Sequence, residues 1–350
     1  MKTRICRLHQ AHDIRIETQS VPEPGPGQVR VGIGAGGICG SDLHYYHDGG
    51  FGPIRVREPI ILGHEVAGIV ESTGPNVGKV HSGDRVAVNP SRPCGHCEYC
   101  TQDLPQHCLD MRFFGSAMRF PHEQGAFRDY ILVDEGQCVK VSPKTDLGQL
   151  ACSEPLAVGL HATNVAGDLT GKKVLITGAG PIGSLCTAAV RHAGAGEIVV
   201  SDIHDATLMA ATEMGAARVI NSSRDPQALA DYAAGKGYFD AVFECSAAAP
   251  ALHSALSAIR PQGVFVQLGV AGDVPVPLNL IVGKEVRMMG SFRFHSEFAD
   301  AARLIESGEI DVRPIISGTY PVEQALEAFR QAADRSTSVK VQLTFAAGGA

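Results

Sequence analysis

The run Lys173-Val-Leu-Ile-Thr-Gly178-Ala-Gly180-Pro181-Ile182-Gly183 constrains the fold more than any other stretch. A short apolar strand leads into G-x-G-x-x-G and then into a helical segment, the order required of the first unit of a dinucleotide-binding sheet. Gly178 permits the tight turn, Gly180 lets the backbone approach a pyrophosphate, and Gly183 lets the helix pack close to the strand. The phosphates then sit over the first turn, at Pro181 and Ile182, where free N–H groups and the helix dipole favour anions. About twenty residues beyond Gly183 comes Asp202, at the end of the next expected strand, where an acid accepts bonds from the adenosine ribose hydroxyls. It would repel a 2′-phosphate, and Ile203-His204-Asp205 offers no arginine to rescue one. The cofactor therefore reads as NAD, with NADP the alternative. The competing reading of Asp202 is a cap on the following helix.

The surrounding texture extends this unit. Strands are expected at Lys173 to Thr177, Ile198 to Ser201, Phe239 to Glu244, Gly263 to Leu268 and Val286 to Gly290, with helical stretches between them, as a parallel α/β sheet requires. The first part of the chain is β-rich, with short β-branched runs such as Gln28 to Ile33 and Arg85 to Val88 between Gly/Pro turns. Helical texture begins around Leu150 to His161 and returns at Ser296 to Ser307 and Pro321 to Ala333. Ser338 to Phe345 alternates like a final strand, and the Ala/Gly-rich tail from Ala346 reads as frayed. At 350 residues, two domains are expected.

Two sets of side chains suit metals. Cys94, Cys97, Cys100 and Cys108 follow C-x2-C-x2-C-x7-C, a density of thiolates suited to a closed tetrahedral zinc site that pins a loop without a core of its own. Iron–sulfur binding is the chemical competitor. The second set is dispersed: Cys39, then Ser41, Asp42 and His44, then His64 and Glu65. One thiolate, one imidazole and one carboxylate hold zinc while leaving a position open for water or substrate, the mark of a catalytic site. Glu154, ahead of Pro155, is a further carboxylate that could ligate directly or through water.

Composition excludes several classes. The net charge of -7 and the absence of a basic stripe argue against nucleic acid and anionic membranes as partners. No segment has the roughly 20 apolar residues that cross a bilayer, and the first residues lack the apolar core of a signal peptide. The ten cysteines read as thiols of a reducing compartment, so a cytoplasmic location is expected.

Gly63-His64-Glu65-Val-Ala-Gly68, with Gly74, Val77 and Gly83-Asp84-Arg85-Val86 beyond, resembles the zinc signature of the medium-chain alcohol dehydrogenase superfamily, and the resemblance covers essentially the whole chain. It implies a GroES-like β-rich catalytic domain, residues 1–152 and 291–350, split around a Rossmann domain, residues 153–290. Gly36 to Tyr46 is similar to the sorbitol dehydrogenase branch. Asn89 to Cys97, Asp110 to Met118 and Gly290 to Phe294 are similar to the bacterial L-idonate 5-dehydrogenases within it.

Position by position, the resemblance implies a catalytic zinc on Cys39, His64 and Glu65, with Glu154 as alternate ligand or water-holder. Ser41 and His44 match a proton relay, and Asp42 an acid that orients the histidine ligand. Tyr45, Phe114, Glu154 and Arg293 match substrate-pocket positions. Arg293 is followed by Phe294 where the sorbitol branch tends to carry tyrosine, and a structural ion pair is its alternative role. For a substrate carboxylate Arg293 is the first candidate, with Arg112 and Arg119 behind it. The expected activity is NAD-linked oxidation of a secondary alcohol on a sugar acid, L-idonate to 5-keto-D-gluconate, with two zinc ions per chain in a homotetramer or homodimer. Sorbitol, xylitol or threonine dehydrogenases of the same architecture are the rival enzymes. A non-catalytic nucleotide-binding module is the rival from another class.

Overall fold

The computed structural model describes residues 1–270, 272–345 and 347, so nearly all of the tail expected to fray lies outside the described residues. Residues Lys173 to Gly290 build a six-stranded parallel sheet in the spatial order Arg218–Asn221, Glu197–Asp202, Lys173–Thr177, Phe239–Glu244, Ile259–Gln267, Arg287–Gly290. In chain order that is 3-2-1-4-5-6, the doubly wound arrangement. Alternate strand residues enter opposite apolar layers: Val174, Ile176, Val200, Phe243 and Val266 on one face, Leu175, Val199, Val242 and Phe265 on the other. Both faces are thus covered, as parallel sheets require. Five of the six strands were expected. Arg218–Asn221 was not, because it is a short edge strand whose first two residues are exposed.

A seven-stranded sheet carries the β-rich part. It runs Cys138–Val141, Arg85–Val88, Glu65–Thr73, Gln28–Gly37, Lys340–Thr344, Ile316–Pro321, with Tyr130–Asp134 also pairing Gln28–Gly37. Its interior holds Val29, Val31, Ile33, Val66, Val86 and Phe127. Lys340–Thr344 lies antiparallel beside Gln28–Gly37, with Gln342 opposite Gly37. Lys340–Thr344 is therefore an interior strand, between Gln28–Gly37 and the edge strand Ile316–Pro321.

A third apolar cluster joins the two sheets. Leu150, Leu156, Leu160, Leu185, Phe294, Phe298 and Ile315 pack with Ala67 and Ala87 from the seven-stranded sheet. Within it the helices Ser153–Ala166 and Glu297–Ser307 lie side by side. One carboxylate fastens them. Glu297 Oε1 accepts from Asn164 Nδ2 at 2.9 Å and meets His161 Nδ1 at 2.9 Å, while Oε2 accepts the His295 N–H at 2.7 Å. Burial alone would raise the pKa of Glu297, but these bonds outweigh it and hold the carboxyl down to about 2.

A carboxyl depressed on folding stabilises the native state above its unfolded pKa, and that stability is lost as pH falls through the folded value. Glu297→Gln should therefore cost about 1–3 kcal/mol near neutrality. The gap between wild-type and variant urea midpoints should narrow as pH drops from 4.5 toward about 2. A gap that stays constant over that range would show that the Glu297 charge contributes nothing.

Candidate active site

The helix Gly40–Asp48 begins at Cys39, its N-cap. Asp42 in the first turn is fully buried, and its two oxygens reach two chain segments: Oδ2 accepts the Cys39 N–H at 3.0 Å and Oδ1 accepts the Gly63 N–H at 3.2 Å. This one carboxylate draws the Cys39 turn against the segment that delivers His64 and Glu65. Ligand atoms of Cys39, His64 and Glu65 all lie within 4.8 Å of one another. The expected orienting contact from Asp42 to His64 needs correction, since Oδ1 stands 4.0 Å from His64 Nδ1, beyond hydrogen-bond range. His64 Nδ1 is buried without a hydrogen-bond partner.

The charge balance is that of a cation site. Burial alone would make His64 less basic, but Cys39 and Asp42 outweigh it and push its pKa up to about 10. Glu154, in the first turn of Ser153–Ala166, is pushed up to about 7, first by burial and then by the Glu65 charge, with His64, Lys340 and Arg293 opposing. A thiol, a buried imidazole nitrogen without a partner and two carboxyl groups in one pocket form a donor set that fits zinc. Glu154 lies outside the 4.8 Å grouping of the other three.

Glu65 has a partner that sequence reasoning missed. Lys340 Nζ donates to both carboxylate oxygens, at 2.7 and 2.8 Å, and to the Ile38 carbonyl at 3.1 Å, with both side chains almost fully buried. Lys340 shares the polar parity of Gln342 and Thr344, which reads as a solvent face, so the alternation gave no signal of a strand buried on both faces.

Aromatic side chains wall the site. The Phe113 ring lies 5.3 Å from the His64 ring, centroid to centroid. The Arg293 guanidinium stacks over Phe113 at 4.3 Å and Phe292 at 4.9 Å, and donates to Met118 Sδ at 3.3 Å. Among the described residues no carboxylate lies within ion-pair distance of Arg293, which disposes of the structural ion-pair reading. Arg112 and Arg119 are already paired, with Glu123 at 3.7 Å and with Asp110 respectively.

Phe114 packs into the core of the seven-stranded sheet, in the same cluster as Tyr45, and lines a cavity of about 450 Å³ together with Arg112, Arg119 and His122. Phe113 ends the two-residue strand Arg112–Phe113 and Phe114 begins the turn after it, so the ring that meets His64 is that of Phe113. Tyr45 is buried beside Phe51, and its hydroxyl accepts the Ala117 N–H at 3.1 Å. Ser41 and His44 stand three apart on one helix, hence on one face. His44 is 55% exposed and bonds Asp48 at 3.2 Å, so it connects that face with solvent.

The dinucleotide loop has the required shape. Gly178 sits at φ +84°, and a Cβ on Gly183 would lie 1.7 Å from the Gly178 carbonyl oxygen. A Cβ on Gly180 would meet nothing within 4 Å, so the space above the N-terminus of Pro181–His192 is open for a phosphate. Asp202 accepts the N–H groups of Ala179 at 2.6 Å, Ile203 at 2.6 Å and His204 at 2.9 Å. It braces the loop at the strand end rather than capping the next helix, whose N-cap is His204.

Cys94, Cys97, Cys100 and Cys108 bring their sulfurs within 4.8 Å of one another, and all are free thiols. Backbone N–H groups point at the sulfurs: Cys97 N–H to Cys94 Sγ at 3.3 Å, and Cys94 and Asp110 N–H to Cys108 Sγ at 3.2 and 3.3 Å. N–H bonds from Cys100 and Leu109 hold the Cys97 thiol down to about 6, favouring the thiolate that binds zinc.

Lys340→Met would leave the buried Glu65 charge without its partner and should destabilise the fold by about 3–5 kcal/mol. Adding Glu65→Gln should recover part of that loss. Denaturant unfolding of the two single variants and the double variant checks it, and purely additive losses would refute the pairing.

Comparison with known proteins agrees with this geometry. Residues 25–143 match the alcohol dehydrogenase GroES-like domain, and residues 181–307 match the zinc-binding dehydrogenase domain. The chain is 42% identical over 346 residues to L-idonate 5-dehydrogenase (NAD(P)(+)) of Escherichia coli, covering 99% of each. It is 35% identical to sorbitol dehydrogenase 1 of Saccharomyces cerevisiae, covering 92% of each. The crystal structure of the E. coli L-idonate 5-dehydrogenase superimposes with a TM-score of 0.95 over 99% of both chains. That of 2R,3R-butanediol dehydrogenase from Bacillus subtilis, 28% identical, gives 0.87 over 98% of this chain and 99% of that one. The chain belongs to the zinc-dependent medium-chain alcohol dehydrogenase family.

Proposed function

We propose that this enzyme oxidises the secondary alcohol of a sugar acid, with L-idonate converted to 5-keto-D-gluconate and NAD(P) reduced. The reaction class rests on Cys39, His64 and Glu65 meeting within 4.8 Å in a chain that also carries the dinucleotide loop. One observation carries the choice of an acid substrate: Arg293, stacked on two rings, makes no close ion pair with a carboxylate among the described residues, and Glu154 acts on it only from a distance. Its planar fork suits a substrate carboxylate. The naming of the E. coli relative for L-idonate points the same way. Neutral polyols such as sorbitol are the second reading, favoured by the sorbitol dehydrogenase relatives.

Cys39, His64 and Glu65 would hold the catalytic zinc, with Glu154 available as exchange ligand, and the four cysteines would hold a structural one. When bound, the zinc supplies Lewis acidity that lets a substrate hydroxyl ionise near neutral pH, and the nicotinamide supplies the two-electron hydride acceptor. Ser41 takes the hydroxyl proton, and His44 passes it to solvent. Arg293 fixes the acid end of the substrate, and Phe113 excludes water beside His64. Asp202 favours NAD over NADP, because its carboxylate stands where a 2′-phosphate would approach.

The division into residues 1–152 with 291–350 and 153–290 is part of the same reading, supported by the separate sheets. So is a homodimer or homotetramer: the edge strand Arg287–Gly290 has a free side, and Leu278, Val282 and Met288 nearby are exposed. A cytoplasmic location fits ten free cysteines, and no helix among the described residues is long and apolar enough to cross a membrane.

Cys39→Ser should abolish turnover and remove one of two zinc ions while leaving NADH binding intact. Full activity with one zinc missing would refute the metal assignment. Arg293→Ala should lower kcat/KM for L-idonate about 10- to 100-fold, given the worth of a charged hydrogen-bonded pair, and should spare sorbitol. Equal losses on both would refute the sugar-acid reading, and a panel with NAD and NADP ranks the substrates and cofactors.

A further inference from the structure

Arg293 sits at φ +56°, a left-handed conformation that costs a non-glycine residue free energy and persists only where neighbours hold it. The neighbours on its far side come from the four-cysteine lobe. His107 stacks on Phe292, with ring centroids 5.9 Å apart and planes 20° from parallel. Asp103 Oδ1 meets His295 Nε2 at 2.9 Å. Phe292, just before the arginine, and His295, two residues after it, are thus contacted by a lobe almost 200 positions earlier in the chain, the His295–Asp103 pair lying at the surface, and Glu297 ties the His295 N–H to the opposite side. The lobe has little core of its own: its helix Glu98–Thr101 buries no residue. Its shape is set by the cysteine cluster, two of whose members flank Asp103 and His107 in sequence.

We propose that Asp103 and His107 are positioning residues for substrate specificity. Through Phe292 and His295 they set where the Arg293 guanidinium stands, so that the four-cysteine lobe helps to select acid substrates. Phe292 is the pivot, because one face of the segment touches His107 while the same ring carries the Arg293 guanidinium. The proposal rests on Arg293 binding a substrate carboxylate.

The test is a mutant cycle on the zinc-loaded, full-length enzyme, with zinc content measured for each variant. Asp103→Asn/His107→Ala should raise both the KM and the calorimetric dissociation constant for L-idonate about threefold to tenfold, with kcat nearly unchanged. His107→Phe, which keeps a ring on Phe292, should restore both. In an Arg293→Ala background the Asp103 and His107 changes should have no further effect, because the group they place is gone. Additive losses in that background, or failure of the phenylalanine to rescue at full zinc content, would overturn the proposal and leave the sugar-acid reading intact. No change in L-idonate binding on Arg293→Ala alone would overturn both.

Discussion

The site depends on Asp42. Its side chain is sealed from water, and each oxygen takes a backbone N–H from a different part of the chain, one at Cys39 and one at Gly63. A buried carboxylate is costly unless bonded, and burial does raise the pKa of Asp42 despite His64. The two N–H bonds make the charged form tolerable, and in return they fix the helix start against the strand that follows Gly63. Everything downstream, including the approach of Cys39 to His64 and the position of Glu65 over Lys340, follows from that closure.

The electrostatics then become a matter of matched burial. Glu65, Glu154 and Asp42 gather three carboxyl groups, and Cys39 a thiol, in a largely buried setting. His64, Lys340 and Arg293 offset them from three separate elements. Lys340 is fully committed to Glu65 and Ile38, so the remaining pull falls on whatever cation the pocket holds. Arg293 contributes from the rim, where aromatic faces replace a carboxylate as its support.

Much of this was legible in the sequence, and the exceptions have physical reasons. The glycine loop and the cysteine lobe are local: residues close in sequence are close in space, and their spacing encodes the turn or the metal. The convergence of Cys39 with His64 and Glu65 came from resemblance, because spacing says little about atoms brought together by a sheet. Phe113 went unnoticed beside Phe114 because a two-residue strand has no sequence signature. Lys340 went unnoticed because its partner lies 275 residues away. Asp42 was given the right neighbourhood and the wrong bond, since the choice between an imidazole and two amide groups is settled by less than 1 Å.

The interior placement of Lys340–Thr344 has a consequence for biosynthesis. The cofactor-binding sheet is one uninterrupted stretch and can form as soon as it leaves the ribosome. The other sheet cannot, since one of its interior strands, Lys340–Thr344, is made after the whole cofactor-binding sheet, and with it comes the ammonium group that neutralises Glu65. A nascent or prematurely terminated polypeptide would thus carry a nucleotide fold without a finished reaction centre. Synthesis through Lys340 is built into the architecture as a condition for a complete reaction centre.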